Sequence, residues 1–150
     1  MAKTDDELTR VIEYLRDLWD DGASSRKKDA FHPYHAAVLS EYRDQKKRGA
    51  APGESRRMVK LAKVKNGEKL RRSVRRIIAA TSDADERAAS RMTLALRYGY
   101  RKKWVNIEAE LKKNGGISGC AKKFAALKEK RNNKRNRRKN KKQLSRRPSK

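Results

Sequence analysis

The clearest chemical signal in this 150-residue chain comes from four closely spaced arginines: Arg71, Arg72, Arg75 and Arg76. On a helix, residues four apart are neighbours, so these side chains would form two pairs along one face. A guanidinium group can bind phosphate through two parallel hydrogen bonds, and no acidic residue interrupts the set. The spacing therefore predicts a phosphate-contacting ridge, although a solvated helix face has the same pattern.

The C-terminal segment 130–150 is the second basic feature, with twelve basic residues and no acidic one. It contains almost no apolar residue that could be buried, which predicts disorder. Such a segment is typical of a nucleic-acid clamp or a nuclear-localisation signal. We expect phosphate contacts from Lys134, Arg135, Arg137, Arg138, Lys139, Lys141 and Lys142.

The total charge indicates a polyanionic partner. Forty-three basic residues against 18 acidic ones give a formal charge of +25, which favours nucleic acid first and an anionic membrane last. We expect no membrane association, because no apolar run reaches membrane-span length. Residues 1–22 have the opposite sign, with seven acidic and three basic residues. This acidic segment either damps nonspecific binding or simply makes the first helix soluble.

Catalytic and metal-binding patterns are missing from the sequence. There is no glycine-rich phosphate loop, no nucleophile paired with a base and no carboxylate cluster, so we expect neither an enzyme nor a cofactor. His32 and His35 lack the further ligands of a zinc site, and no metal is expected. Cys120 has no disulfide partner in the chain and is predicted to be a buried, inert thiol.

The periodicity of apolar residues predicts an all-α protein, a small helical bundle with a C-terminal trihelical helix-turn-helix unit. Thr4 and Glu7 form a capping box for a first helix that ends at Gly22, where a left-handed cap is expected. The other helices are predicted at about 33–45, 54–64, 68–80, 82–99, 104–111 and 118–131, with a linker at 46–54. The run Ser82–Asp85 has the pattern of another capping box, which predicts that Ser82 caps the fifth helix. The predicted segments are 1–50 (acidic first helix), 51–80 (basic helical region), 81–129 (trihelical domain) and 130–150 (disordered tail).

Residues 80–128 resemble a Myb/SANT-like domain, and the second half of the match is the better one. The family pattern Trp-x-x-Ile-x-x-x-Leu is matched by Trp104, Ile107 and Leu111, after a helix ending in Tyr98-Gly99. The last helix of the family reads Cys-x-x-Arg/Lys-Trp/Phe-x-x-Leu, which is matched by Cys120, Lys123, Phe124 and Leu127. Alanine stands at position 80, where the family has its first tryptophan.

The resemblance implies a trihelical DNA- or chromatin-binding module whose recognition helix is Ser118–Arg131. The residues expected to face DNA are Ser118, Lys122, Lys123, Lys128 and Arg131. The chain is thus predicted to be a transcription or chromatin-associated factor, nuclear in a eukaryote and otherwise cytoplasmic and nucleoid-associated. Two alternatives stay open: an RNA-binding or ribosome-associated protein, and a SANT-type module that binds an acidic or histone-like protein.

Overall fold

The computed structural model describes residues 2–27 and 29–146, with side chains described as far as Lys142, and confirms the all-α helical bundle. Within these residues the α-helices are α1 (Asp5–Ser24), α2 (His32–Lys47), α3 (Ala51–Leu61), α4 (Ser73–Thr81), α5 (Glu86–Arg101), α6 (Ile107–Lys113) and α7 (Gly116–Arg146). A short 3-10 helix, Gly67–Lys69, precedes α4.

Helix α1 begins as predicted and ends differently. The Glu7 amide donates to Thr4 Oγ1 at 3.2 Å, and the Thr4 amide donates to Glu7 Oε1 at 3.3 Å, which completes the capping box. The predicted left-handed cap at Gly22 is wrong, because the helix continues to Ser24. A Cβ at Gly22 would lie 2.6 Å from Phe31 Cδ1, so the glycine lets this ring pack against the helix.

The predicted linker at 46–54 is a tight corner between α2 and α3. Helix α3 already begins at Ala51, since Pro52 fits a first helical turn, where no amide donor is needed. Glu54 lies inside this helix, is buried, and forms an ion pair with Arg48 at the end of α2. The corner is therefore held by an ion pair between a buried carboxylate and a half-buried guanidinium.

The helix predicted from Glu68 begins five residues later, at Ser73. Asn66 adopts a left-handed conformation with φ of 58° and ends the preceding turn. A Cβ at Gly67 would lie 1.9 Å from Val59 Cγ1, so this glycine fixes the chain against α3. Arg72 has extended backbone and is the N-cap residue of α4. Arg71 and Arg72 therefore lie outside the helix that was expected to carry them.

Helix α5 also begins later than predicted. Asp85 is its N-cap and accepts the Ala88 amide at 2.7 Å. Ser82, which was expected to cap the helix, instead donates to the Ile78 carbonyl at 2.8 Å. The capping chemistry was predicted correctly, but the residue that provides it was not.

One continuous cluster of buried side chains contains residues from the predicted segments 1–50, 51–80 and 81–129. Helix α7 packs along α5, and α6 contacts both α2 and α7. Trp104, Cys120 and Phe124 are buried, as their spacing predicts. The Trp104 ring lies against the backbone of Gly99, where a Cβ would be 2.7 Å from Trp104 Cε3. This contact fixes the end of α5 against the segment that leads to α6.

Helix α7 continues far beyond the core into the segment that was predicted to be disordered, and residues 130–146 are helical. We call this part the extension. The part of α7 that packs on α5 supplies the nucleus, after which each added residue gains one backbone hydrogen bond. Lysine and arginine are good helix formers, and neither glycine nor proline occurs in the extension. At 1.5 Å per residue it is about 25 Å long. The predicted disorder of residues 147–150 lies outside the described residues.

Candidate nucleic-acid interface

Five cationic side chains surround one open cleft of about 280 Å³ between α4, α5 and α7. We call this the basic cleft and define it by Arg71, Arg72, Arg75, Arg97 and Lys128. Four of these residues were predicted to contact phosphate or DNA, and the structure brings them together. The other lining residues are Ser90, Thr93 and Leu94, which are uncharged.

The start of α4 positions three of the arginines. Arg71 and Arg72 are exposed on the segment that leads into the helix, and Arg75 is half-buried in its first turn. Their side chains therefore approach the cleft from a helix N-terminus, where the unpaired amides add partial positive charge. This arrangement replaces the predicted ridge along one helix face.

Arg97 is the member of the basic cleft that sequence reasoning missed. Its guanidinium carbon lies 4.7 Å from the centroid of the Phe124 ring, and Lys128 Nζ lies 5.6 Å from the same centroid. A cation above an aromatic face is attracted by the ring quadrupole, so the buried Phe124 holds both charges at the cleft. No local pattern around Arg97 predicts this, because the ring is on a different helix.

Two cations of the basic cleft, Arg97 and Lys128, have lowered pKa values. Burial lowers the pKa of Arg97, and the charge of Arg72 lowers it further. The pKa of Lys128 is lowered by burial and then by the charges of Arg97 and Arg72. Like charges held together repel, and an anion between them would relieve that repulsion. The basic cleft is thus suited to binding phosphate.

Arg76 does not reach the basic cleft, although it was predicted with the other three arginines. It is 6 % exposed, and its side chain turns inward. Its Nε donates to the Leu70 carbonyl at 3.0 Å, and its Nη1 donates to Ser55 Oγ at 3.3 Å. Arg76 therefore joins the loop before α4 to helix α3.

The residues predicted to face DNA from α7 do not share one face of the helix. Ser118 and Lys122 are exposed, and Lys123 Nζ donates to Asn114 Oδ1 at 2.7 Å. Lys122 and Arg131 are nine residues apart, which at 3.6 residues per turn places them on opposite sides. Lys128 belongs to the side that meets the basic cleft.

The extension presents its charge on all sides. Every described side chain from Glu129 to Lys142 is exposed, and no acidic residue follows Glu129 in the sequence. The seven predicted phosphate contacts of the tail all lie on this helix: Lys134, Arg135, Arg137, Arg138, Lys139, Lys141 and Lys142. These residues therefore lie on a helix that extends away from the basic cleft.

Of the other residues considered for chemistry, Cys120 and His35 are buried and His32 is half-buried. Cys120 is fully buried, and burial raises the pKa of its thiol to about 11, which keeps it protonated and unreactive. His35 Nε2 lies 3.1 Å from Met92 Sδ inside the core. Among the described residues, no three His, Cys, Asp or Glu side chains gather where they could hold a metal ion. None of the described helices is both long and apolar enough to cross a membrane.

Comparison of the chain with models of known protein families, with curated proteins and with solved structures gives no match. The function is therefore inferred from the geometry and charge of the basic cleft and the extension.

Proposed function

We propose that this protein binds nucleic acid, with duplex DNA as the preferred form, through the basic cleft and the extension together. The observation that carries the proposal is the basic cleft itself. Five cations from three helices and the loop before α4 line it, and the charges that lower the pKa values of Arg97 and Lys128 are other cations. A site of this kind is stabilised by a phosphate backbone.

In this proposal the cleft holds the backbone of one strand while the extension follows the duplex. Each arginine binds two oxygens of one phosphate, and each phosphate that is neutralised releases counterions. The extension, about 25 Å long, would span roughly seven base pairs at 3.4 Å per base pair. The competing mode is base reading by α7 in the manner of a helix-turn-helix protein, in which Ser118, Lys122 and Lys123 would enter the groove.

Duplex nucleic acid is favoured over single strands because no aromatic side chain lines the cleft. Proteins that bind single strands stack bases on exposed aromatic rings. The exposed tyrosines are Tyr14, at 60 % exposure, and Tyr100, at 37 %, and neither belongs to the cleft. An arginine- and asparagine-rich helix such as the extension also suits structured RNA, which is the second candidate partner.

We expect neutralising the cleft to weaken DNA binding more than neutralising an equal charge elsewhere. The test variant carries Arg72→Gln, Arg97→Gln and Lys128→Gln; the matched control carries Arg10→Gln, Arg26→Gln and Lys27→Gln, all exposed at or after α1. Each lost phosphate contact lowers the salt slope by about 0.9, so the cleft variant should lose about 2–3 units of slope. Fluorescence anisotropy with a labelled duplex at several salt concentrations measures both the affinity and its salt slope.

Equal losses in the two variants would contradict the proposal and leave a protein attracted to DNA by total charge alone. Unchanged binding in both variants would exclude the basic cleft from the interface, and absence of duplex binding by the folded wild-type protein would favour an acidic protein partner. Unlabelled duplex and an unlabelled RNA hairpin are then compared as competitors of the labelled duplex. The nucleic acid that the protein prefers displaces the labelled duplex at the lower concentration.

A pair of single substitutions tests which side of α7 meets the duplex. Arg131→Gln lies on the same side as the basic cleft and should weaken binding several-fold, as expected for one lost charge-assisted phosphate contact. Lys122→Gln, half a turn away and equally exposed, removes the same charge and should have a smaller effect. The reverse order, measured with the same duplex, would support the helix-turn-helix mode in which Lys122 enters the groove.

A further inference from the structure

A second site is indicated by the environment of Arg76, which is buried without an anionic partner. Its hydrogen bonds go to the Leu70 carbonyl and the Ser55 hydroxyl, both neutral. Burial lowers the pKa of the guanidinium, and the nearby charge of Arg56, another cation, lowers it further. A buried charge is normally compensated by a charge of opposite sign. No described carboxylate forms an ion pair with Arg76, so a bound anion would supply this compensation.

Arg76 lines a cavity of about 540 Å³ between α3, the 3-10 helix and α4. This volume is in the range of pockets that bind small molecules. Val59, Val64 and Leu70 supply an apolar wall. The other lining residues are Arg56, Lys60, Lys63, Gly67 and Glu68, so the charged rim is mainly basic. None of these residues belongs to the basic cleft.

We propose that this cavity binds a small organic anion with an apolar body, such as a medium-chain carboxylate. The anionic group lies against the guanidinium of Arg76, and the apolar body lies against Val59, Val64 and Leu70. An arginine can bind a carboxylate through two hydrogen bonds, which fixes its orientation. The apolar wall selects an amphipathic anion over inorganic phosphate, because a hydrated ion gains nothing from contact with it.

Isothermal titration calorimetry of the full-length protein with four probes tests the site. Octanoate should bind, whereas octylammonium, octanol and inorganic phosphate, which each lack one of the two features, should bind at least about tenfold more weakly. Arg76→Met removes the charge and provides an apolar side chain of similar length. Folded proteins often tolerate the replacement of a buried charged residue by an apolar one. Arg76→Met should weaken octanoate binding by about 10- to 100-fold, the range for a lost hydrogen bond to a charged group.

Two controls keep the test informative. Arg91→Met removes an exposed charge outside the cavity and should leave octanoate binding unchanged. Val64→Phe fills the cavity, retains Arg76, and should abolish binding even if Arg76→Met fails to fold. Equal binding of octanol and octanoate, or equal losses in the Arg76 and Arg91 variants, would overturn the proposal. Weakened duplex-DNA binding in Arg76→Met, with octanoate binding retained, would assign Arg76 to the nucleic-acid surface instead.

Discussion

Replacing Glu54 with glutamine is expected to lower the free energy of unfolding by about 2–3 kcal/mol, the upper range for a lost hydrogen bond to a charged group. Glu54 is 1 % exposed, and its Oε1 accepts from Arg48 Nη2 at 2.7 Å. Its Oε2 accepts from the Lys3 amide at 2.9 Å and also from Arg48 Nη1. Glutamine keeps the shape, but it removes the charge and turns an NH₂ donor toward groups that are themselves donors.

Asp44→Asn is the matched control, because Asp44 pairs with the same arginine from the surface. Arg48 Nη2 lies 2.9 Å from Asp44 Oδ2, and the Asp44 side chain is 48 % exposed. Exposed ion pairs contribute between about 0 and 1 kcal/mol, so the free energy of unfolding of this variant should be close to that of the wild type. Urea unfolding followed by circular dichroism gives both values. Similar losses in the two variants would show that the charge around Arg48 matters, and not the burial of Glu54.

The second large effect is a loss of stability in acid that arises from His35. This residue is 5 % exposed, its Nδ1 has no hydrogen-bond partner among the described residues, and Phe31 and Tyr34 lie beside its ring. Burial, with a smaller contribution from the charge of His32, lowers its pKa from 6.5 to about 3. The unfolded chain therefore takes up a proton below about pH 6.5 that the folded protein does not accept until about pH 3.

His35→Gln should remove the part of the pH dependence of stability that arises from the buried imidazole. The free energy of unfolding falls as pH falls from about 6.5 toward 3, by about 2 kcal/mol at pH 5 and roughly 4 kcal/mol at pH 3. Asp44 and Glu54 have lowered pKa values and also lose stability in acid. They are present in both proteins, so their contribution cancels in the difference between wild type and variant. Urea unfolding at a series of pH values measures this difference in unfolding free energy. A difference that stays constant with pH would contradict the prediction for His35.

The parts of the fold that were predicted correctly depend on contacts within one or two helical turns. Thr4 and Glu7 are three residues apart and cap α1 as expected. The spacing of Cys120 and Phe124 identifies the buried side of α7. In each case the partner is close in the sequence, so periodicity and capping chemistry are sufficient.

The errors arose where a distant contact decides the local conformation. Gly67 fits against Val59 on another helix, and this delays the start of α4 until after Arg72. Arg97 joins the basic cleft because Phe124 lies beneath its guanidinium. The members Arg71, Arg72, Arg75 and Lys128 could be found singly from their charge. Their assembly around one cleft could not, since it depends on how α4, α5 and α7 pack.

The continuity of α7 has a consequence for how its two basic regions are related. A flexible tail would be tied to the body by length alone, whereas one unbroken helix also fixes an angle of rotation. One residue inserted after Glu129 would turn every side chain of the extension by about 100° about the helix axis while moving it only about 1.5 Å along the axis. The number of residues between Lys128 and the extension therefore acts as a rotational index, which sets the direction of each lysine and arginine relative to the cleft.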